Sequence, residues 1–505
     1  MEPGREPRER LSRGEERFER GRRRAGLVAA PAVFLLLLLM PLPALSAAAH
    51  HLAAVMGAVV VLWITEALPM PVTALVGVSA CVALRVAPAK DAFAPFADPL
   101  MFLFIGSFIL ARGIFIHHLD RRLAFGVLSL RWVGGRPSRI LFAFGAVTAF
   151  LSAWISNTAT TAMMFAIGMS ILAFLYDNEK EGGSPISRRY ATGLMLMTSF
   201  AASIGGLATP IGTPPNVIGL GFIRQLLGVE FPFFKWAMLG APVAVVLFFY
   251  LFFYLDRLSP AGVREIAGSA EMLEREKKRL GPWTRGQRST LAAFLVTVAL
   301  WIVPGLIALF AGDQSDAYQA VNRRVPEAVA ALAGAGLLFV LPGRQGERAI
   351  TWEQAVQIDW GVVLLYGGGF ALGVLSFQTG LAEAVGRGLT GLLPVQGGLG
   401  LLFASTAVAM LLSETTSNTA SANMIVPVVI AIAKAQGADP LEPALGATMG
   451  ASLGFMLPVS TPCNAIVYGS GHIPLSSMMR YGVLLDVAGV LVVTAMVRLL
   501  VPLLR

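Results

Sequence analysis

The sequence predicts an all-α polytopic membrane protein: about 11 transmembrane helices plus two re-entrant hairpins, set out as two inverted repeats. Three observations lead there. Of the 505 residues, 56% are hydrophobic and only 14% charged, with a mean hydropathy of +0.70, and a soluble chain of this size needs far more polar surface. Apolar runs of about 20 residues, the length that spans a bilayer core, recur along the chain. And one polar phrase occurs twice within apolar sequence, as Ser156-Asn157-Thr158 and Ser417-Asn418-Thr419. Each copy is followed by a Gly/Pro-broken segment, Ala208-Thr-Pro-Ile-Gly-Thr-Pro-Pro-Asn216 after the first and Leu457-Pro-Val-Ser-Thr-Pro-Cys-Asn464 after the second.

Residues 1–25 mix Arg with Glu and lack an apolar run, which reads as a disordered cytoplasmic tail. The stretch 26–46 resembles a signal peptide only in its basic flank; its apolar run is long and further spans follow, so it is taken as an uncleaved first helix. Spans near 52–69, 72–88 and 98–116 follow. After a basic segment carrying Arg121, Arg122, Arg131, Arg136 and Arg139, residues 138–176 hold the first Ser-Asn-Thr near their middle, long enough for two short helices meeting at a tip. A polar loop (177–189) leads into a span broken near 209–215 and another at 236–256, completing a first half over 26–256.

Residues 257–285 interleave Arg264, Arg275, Lys277, Lys278 and Arg279 with Glu265, Glu271, Glu274 and Glu276, the pattern of an amphipathic linker at the cytoplasmic interface. The second half, 286–505, gives spans near 286–310, 325–342 and 360–379, then a Gly-rich piece (380–397) and a second hairpin, 398–436. It ends with a span over 443–471, broken at 457–464, and a last one at 480–503. Lys/Arg bias puts the N-terminus and the loops 117–139, 177–189, 257–288 and 343–349 in the cytoplasm, if the first hairpin re-enters from that side. The second hairpin then opens from the opposite face, which makes the halves inverted repeats with a site between discontinuous helices at the midplane.

A hairpin tip or helix break leaves backbone N–H and C=O groups without intrahelical partners, tolerated at membrane depth only where they line a cavity or lie within protein. Helix N-termini suit a carboxylate or other oxyanion, and Asn and Thr at those termini add neutral donors. Carbonyls and hydroxyls beside them suit a small hard cation. Neither tip nor either break contains an Arg or Lys, so a dianion there requires accompanying cations, because isolated charge in a low dielectric is costly.

At these residues the chain resembles the divalent anion/sodium symporter family, whose members carry di- and tricarboxylates or sulfate. The resemblance lies in the paired Ser-Asn-Thr tips, in Gly205-Gly-Leu-Ala-Thr-Pro-Ile-Gly-Thr-Pro-Pro-Asn216 and in Ala451-Ser-Leu-Gly-Phe-Met-Leu-Pro-Val-Ser-Thr-Pro-Cys-Asn-Ala-Ile-Val467. It covers nearly the whole chain after the tail. It implies one sodium site from Ser152, Ser156, Asn157 and Gly212 and a second from Ser413, Thr416, Asn418 and Ser460. It implies substrate contacts from Ser156, Asn157, Thr158, Thr213, Ser417, Asn418, Thr419, Thr461 and Pro462. It further implies a homodimer in a plasma membrane, the bacterial inner membrane, working by an elevator motion of the hairpin-bearing part. Cys463 departs from the family's usual Pro or Ala, a change expected to touch packing more than ligation.

The function expected is sodium-coupled uptake of C4-dicarboxylates (the succinate, malate and fumarate class), with two or more sodium ions as coupling ions and membrane lipid around the fold. Alternatives on the same scaffold are a dicarboxylate exchanger, a proton-coupled carrier, or a citrate or sulfate transporter. The charge of +9 sits mostly in the tail and loops and reads as topology, not nucleic-acid binding. A hydrolase using Ser156 or Ser417 lacks a nearby His or Lys as base. No His/Cys/carboxylate spacing suggests a resident metal, and Gly367-Gly-Gly369 lacks the Lys-Ser/Thr of a phosphate loop and reads as close helix packing. Glu66, Asp359 and Asp486 are read as structural, Glu414 as tuning the second cation site or as structural, and His117 and His118 as solvated.

Overall fold

The computed structural model describes residues 13–504 except 181–184, 186, 267, 313, 345 and 391–396. Among the described residues every regular element is a helix, and the one extended pairing is an isolated bridge between Pro342 and Arg348. The chain opens with α1 (Arg13–Leu39), α2 (Ala47–Thr65), α3 (Met70–Ala83) and a short α4 (Ala89–Phe93), which runs into a single 3-10 turn, Ala94–Ala97. Next come α5 (Pro99–Ile116), α6 (Leu119–Leu128), α7 (Pro137–Ser152), α8 (Asn157–Lys180), α9 (Arg188–Gly206), α10 (Pro214–Leu227) and α11 (Phe233–Leu258). The linker helix is α12 (Ser269–Arg279), followed by α13 (Arg285–Ala311), α14 (Asp316–Arg324), α15 (Glu327–Val340) and the single turn α16 (Trp352–Ala355). The last seven are α17 (Trp360–Gln378), α18 (Leu381–Thr390), α19 (Gly398–Thr415), α20 (Asn418–Ala435), α21 (Leu441–Gly450), α22 (Pro462–Tyr468) and α23 (Leu475–Leu504).

Nine described helices are long and apolar enough to cross a membrane: α2, α5, α8, α11, α13, α17, α19, α20 and α23. Shorter apolar helices α3, α7 and α15 add to them. The interrupted spans fall where the sequence places them. α9 stops at Gly206 and α10 restarts at Pro214, with Pro210 between, and prolines at the first turn need no amide partner. In the second half the interruption begins sooner than 457: α21 ends at Gly450 and α22 starts at Pro462. The hairpin tips are the short connections 153–156 and 416–417, each closed by a serine N-cap, Ser156 to the Ala159 amide (3.3 Å) and Ser417 to the Ala420 amide (3.2 Å).

Several expectations need correction. Residues 13–25 are the first turns of α1 and not disordered, while residues 1–12 of the tail lie outside the described residues. Acidic positions four residues ahead of arginines favour a helix there, and it continues into the apolar run. The basic segment 117–139 contains α6, and a second unforeseen amphipathic helix, α14, precedes α15. Of the Gly-rich piece, 391–396 lie outside the described residues and 381–390 form α18. His117 is not solvated: it is 3% exposed, its Nε2 lies 2.7 Å from the Ala349 carbonyl, and Gly286 leaves room for its ring. Burial holds this imidazole below its usual pKa.

The structural readings of Glu66 and Asp359 have a local explanation. Glu66 ends α2 in a left-handed conformation (φ 47°) and pairs with Arg22 at 3.0 Å. Asp359 caps α17 by accepting from the Val362 amide at 3.2 Å. Gly367 and Gly368 do pack closely, since a Cβ at either would lie 2.5 Å from Phe96 or Ala74.

Packing sorts the long helices into two groups. α7–α11 and α19–α23 pack chiefly on one another, and α1–α5 pack with α13, α15 and α17. The principal contacts between the groups are α10 and α20 against α17, and α11 against α13, with short α6 and α18 as connectors. Both tips and both breaks belong to the first group.

Candidate functional site

Each tip is built by the same local device. A serine ending the first helix of the hairpin reaches the asparagine that starts the second, five residues on. Ser152 Oγ lies 2.7 Å from the Asn157 amide, and Ser413 Oγ lies 2.7 Å from Asn418 Oδ1. Each tip is then pressed against the following break. The Asn157 amide nitrogen, turned toward its acceptors, donates to Ser152 Oγ (2.7 Å) and to the carbonyls of Ala202 and Gly212 (3.2 Å each). Ser413 Oγ is also 2.7 Å from the Ala451 carbonyl. Thr209 Oγ1 donates to the Ala153 carbonyl, tying the first break to the first tip.

The breaks repeat one another as well. Asn216 Nδ2 donates to the carbonyls ten and seven residues before it, Gly206 (2.9 Å) and Thr209 (2.8 Å). Asn464 Nδ2 does the same to Gly454 (3.1 Å) and Leu457 (3.0 Å). These staples fix the irregular backbone and supply the Gly206 and Gly454 carbonyls with a partner, while the Thr209 and Leu457 carbonyls also accept from the amides of Gly212 and Ser460. Thr213 and Thr461 have nearly equal extended conformations (φ −146° and −143°) just ahead of the prolines that begin α10 and α22.

The halves also interlock. α22 packs on α8 and α9, and α10 packs on α20 and α21, so each restart leans on the other half's helices. Ser199 of α9 donates to Asn464 Oδ1. The Cys463 thiol sits beside the hydroxyls of Thr158, Thr161 and Ser203, so the departure at Cys463 is a packing contact against the first hairpin. Thr158 and Pro462 remain exposed, and Asn157, Asn418 and Thr419 half-buried, so the neutral donors at the helix starts keep accessible surface.

Of the sequence-derived cation ligands, Ser152, Asn157 and Gly212 are brought together. Ser413 and Asn418 meet in the second half, and the Gly454 Cα faces both the Ser413 carbonyl and Ser460. The Ser156 and Ser417 hydroxyls serve as helix caps. Thr416 differs, because its hydroxyl turns to the Leu412 carbonyl (3.1 Å) and Ser421 Oγ (2.7 Å). Its own carbonyl is what it can offer a cation.

Sequence reasoning gave Glu414 too little weight. The side chain is 2% exposed and accepts from the amides of Met456 (2.8 Å) and Leu457 (3.2 Å) and from Ser460 Oγ. It thus fixes the second break and bonds a residue that the sequence puts forward as a cation ligand. Asp486 of α23, 1% exposed, turns its carboxylate to that of Glu414. The only signal in the sequence was an acidic residue four positions before Ser-Asn-Thr's Asn418. Among the described residues no Lys or Arg bonds to a tip or break residue, and no group of His, Cys, Asp and Glu suits a resident metal.

Gly206 marks how tight the first tip is. A Cβ there would lie 2.5 Å from the Asn157 side-chain amide, whereas at Gly126, in α6, it would meet nothing within 4 Å. We expect Gly206→Ala to cut uptake by about tenfold or more by displacing the Asn157 amide, and Gly126→Ala to leave it unchanged, as measured by initial uptake rates at matched protein amounts. Equal rates for the two variants would remove Asn157's position from the mechanism.

Comparisons with known proteins identify the family. The family model for the sodium:sulfate symporter transmembrane region matches residues 22–504. The sodium-dependent dicarboxylate transporter SdcS of Staphylococcus saprophyticus is 32% identical over 483 residues, covering 94% of this chain and 91% of that protein. SdcS of Staphylococcus aureus strain USA300 is 31% identical over 486 residues, with the same coverage. Among solved structures the fold is similar to the YdaH transporter of Alcanivorax borkumensis (TM-score 0.52, 12% identity, 82% of this chain and 88% of that one). It is also similar to MtrF of Neisseria gonorrhoeae (TM-score 0.54, 12% identity, 83% and 84%). With the family model matching residues 22–504 of the 505, and the paired tips and breaks in place, the chain is a membrane transporter and belongs to the sodium:sulfate (divalent anion/sodium) symporter family.

Proposed function

We propose that this protein couples sodium to the uptake of C4-dicarboxylates of the succinate, malate and fumarate class. The observation that carries the reading is the duplicated tip. A Ser–Asn contact of 2.7 Å recurs in both hairpins, each set against an asparagine-stapled break, with no Lys or Arg among the bonded partners. Neutral donors at helix N-termini bind a dianion through partial charges, which leaves its net charge for mobile cations to balance. The names of the similar staphylococcal transporters support the same substrate class and ion.

In this reading one sodium ion is held by oxygens of Ser152, Ser156, Asn157 and Gly212, and the other by Ser413, Thr416, Asn418 and Ser460. Substrate carboxylates are met by Asn157, Thr158, Asn418 and Thr419, with Ser156, Ser417, Thr213, Thr461 and Pro462 completing the wall. Two sodium ions neutralise one dianion, and a third makes the cycle electrogenic. Alternating access is an elevator movement in which α7–α11 and α19–α23 slide as a unit past α1–α5, α13, α15 and α17, in keeping with the way the helices group. Bacterial inner-membrane placement with a cytoplasmic N-terminus, inverted halves and a homodimer belong to the same proposal. A partner surface has room on α13, whose apolar span is only 17% buried.

The test is uptake of labelled succinate, citrate and sulfate into proteoliposomes with and without an inward sodium gradient. Succinate should accumulate only with the gradient. Uptake driven equally well by internal dicarboxylate without sodium, or accumulation of sulfate in place of succinate, would overturn the assignment.

A further inference from the structure

Between the two helix groups the contact surface is lined by small residues. A Cβ at Gly221 of α10 would lie 2.6 Å from the Tyr366 hydroxyl of α17. At Gly369 it would meet the Asn423 amide oxygen of α20 at 2.1 Å, and at Gly373 the Phe222 ring of α10 at 2.2 Å. At each of these places a glycine of one helix receives a larger side chain from the facing helix, so the two groups approach closely here.

Among the described residues the one ion pair that crosses between the groups is Asp98 with Arg224; the Glu327 carboxylate of α15 also accepts from the Phe233 amide of α11, and Lys434 of α20 lies over the Phe377 ring of α17. Asp98 caps α5, where Oδ1 accepts from the Leu100 amide at 2.8 Å and from the Tyr366 hydroxyl at 3.2 Å. Its other oxygen, Oδ2, pairs with Arg224 near the C-terminus of α10, with side-chain exposures of 8% for Asp98 and 32% for Arg224. Capping needs only an oxygen, and asparagine caps as well as aspartate does; the negative charge of Asp98 adds a modest interaction with the α5 dipole and pairs with Arg224. Tyr366 belongs to the same group as Asp98 and holds its carboxylate in place. Arg224 alone comes from the site-bearing group. When α10 moves, the guanidinium can be solvated, but the carboxylate stays buried at the end of α5.

We infer that the Asp98–Arg224 ion pair, braced by Tyr366, is a latch between the two helix groups, holding the site-bearing group in the arrangement seen here and opening in each transport cycle. The inference rests on the sliding movement proposed above. Opening the latch costs more than a surface pair does, because one partner is left unpaired in a low dielectric. Its strength therefore sets how the protein divides its time between this arrangement and the displaced one.

The test uses cysteines at Phe222→Cys and Gly373→Cys, which face each other across the interface, with the native Cys81 and Cys463 buried. Oxidative cross-linking of this pair reads the occupancy of the arrangement seen here, and uptake is followed in the same proteoliposomes. Cross-linking should arrest uptake; a cross-linked carrier that still transports at the reduced protein's rate sinks the sliding movement itself. In the Asp98→Asn and Arg224→Gln backgrounds the cross-linking rate should fall by about tenfold, with sodium-dependent dicarboxylate binding unchanged. The exchanged double variant, Asp98→Arg with Arg224→Asp, should recover most of it. Unchanged rates in both single variants, with uptake still arrested by the cross-link, overturn the latch and leave the sliding movement standing. Loss in the single variants without recovery in the exchange marks a packing role and overturns it too. Because Asp98→Asn keeps the cap on Leu100, it carries the test even if Arg224→Gln does not fold.

Discussion

Asn157→Ala should abolish dicarboxylate uptake, lowering it by about 100-fold or more, while the protein still inserts, folds and elutes as the parent does. The amide does three jobs at once. Its nitrogen side satisfies Ser152 Oγ and the Ala202 and Gly212 carbonyls, and the remaining face lies at the start of α8, where the proposed reading puts a substrate carboxylate against the helix N-terminus. One lost hydrogen bond to a charged group accounts for about 1.5–3 kcal/mol. Loss of the shared cation ligand multiplies that penalty, since cation and anion bind together. Asn418→Ala should behave alike, because Asn418 holds the same place relative to Ser413. Asn216→Ala supplies the contrast. Its two staples bond only backbone carbonyls of the break, so the main effect should be a lower melting temperature with uptake reduced in proportion to folded protein. Uptake per folded molecule and thermal stability in detergent separate these outcomes. Normal uptake by both Asn157→Ala and Asn418→Ala would take the paired asparagines out of the site.

The features most legible in the sequence are those that depend on local backbone chemistry. Proline cannot continue a helix, so Pro210, Pro214 and Pro215 announce the first break, and Pro458 and Pro462 the second. Serine before an Asn-Thr pair announces a helix start, and both tips do begin helices at the asparagine. Less legible were features that depend on contacts between distant segments. α21 ends at Gly450, well ahead of Pro458, because the chain has to turn early enough for Asn464 to reach the Gly454 carbonyl. The amphipathic helices α6 and α14 read as basic or polar loops because a polar face and a polar loop share a composition. His117 is buried through Ala349, and Cys463 is placed against Thr158 from the other half, pairings that no periodicity announces. Glu414 looked ambiguous for the same reason: the amides of Met456 and Leu457 that use its charge are remote in sequence.

Removing sodium should weaken dicarboxylate binding by about 5- to 150-fold, the span of coupling free energies of about 1–3 kcal/mol. A dicarboxylate at these tips faces neutral donors from Asn157, Thr158, Asn418 and Thr419, and the buried charge bonded to the candidate ligands is the carboxylate of Glu414, which accepts from Ser460 Oγ. A lone dianion therefore enters a region whose fixed charge is of its own sign. Partial charges at helix N-termini each supply about 0.3–1 kcal/mol, up to about 2 in partly buried geometry, which is small beside the cost of desolvating two carboxylates. In the proposed reading, sodium at Ser152–Asn157–Gly212 and at Ser413–Asn418–Ser460 reverses the balance by placing two positive charges among the same tips. The coupling is reciprocal, so dicarboxylate must raise sodium affinity by the same factor. Glu414→Gln gives the sign a second check: it removes a negative charge beside the second cation site, so it should weaken sodium binding more than it weakens dicarboxylate binding at saturating sodium. Titration calorimetry of succinate in sodium and in choline, and of sodium with and without succinate, measures both arms. Equal succinate affinity in the two buffers would mean that the anion is neutralised by something other than sodium, and the absence of Lys and Arg at the tips would then need a proton to take the cation's place.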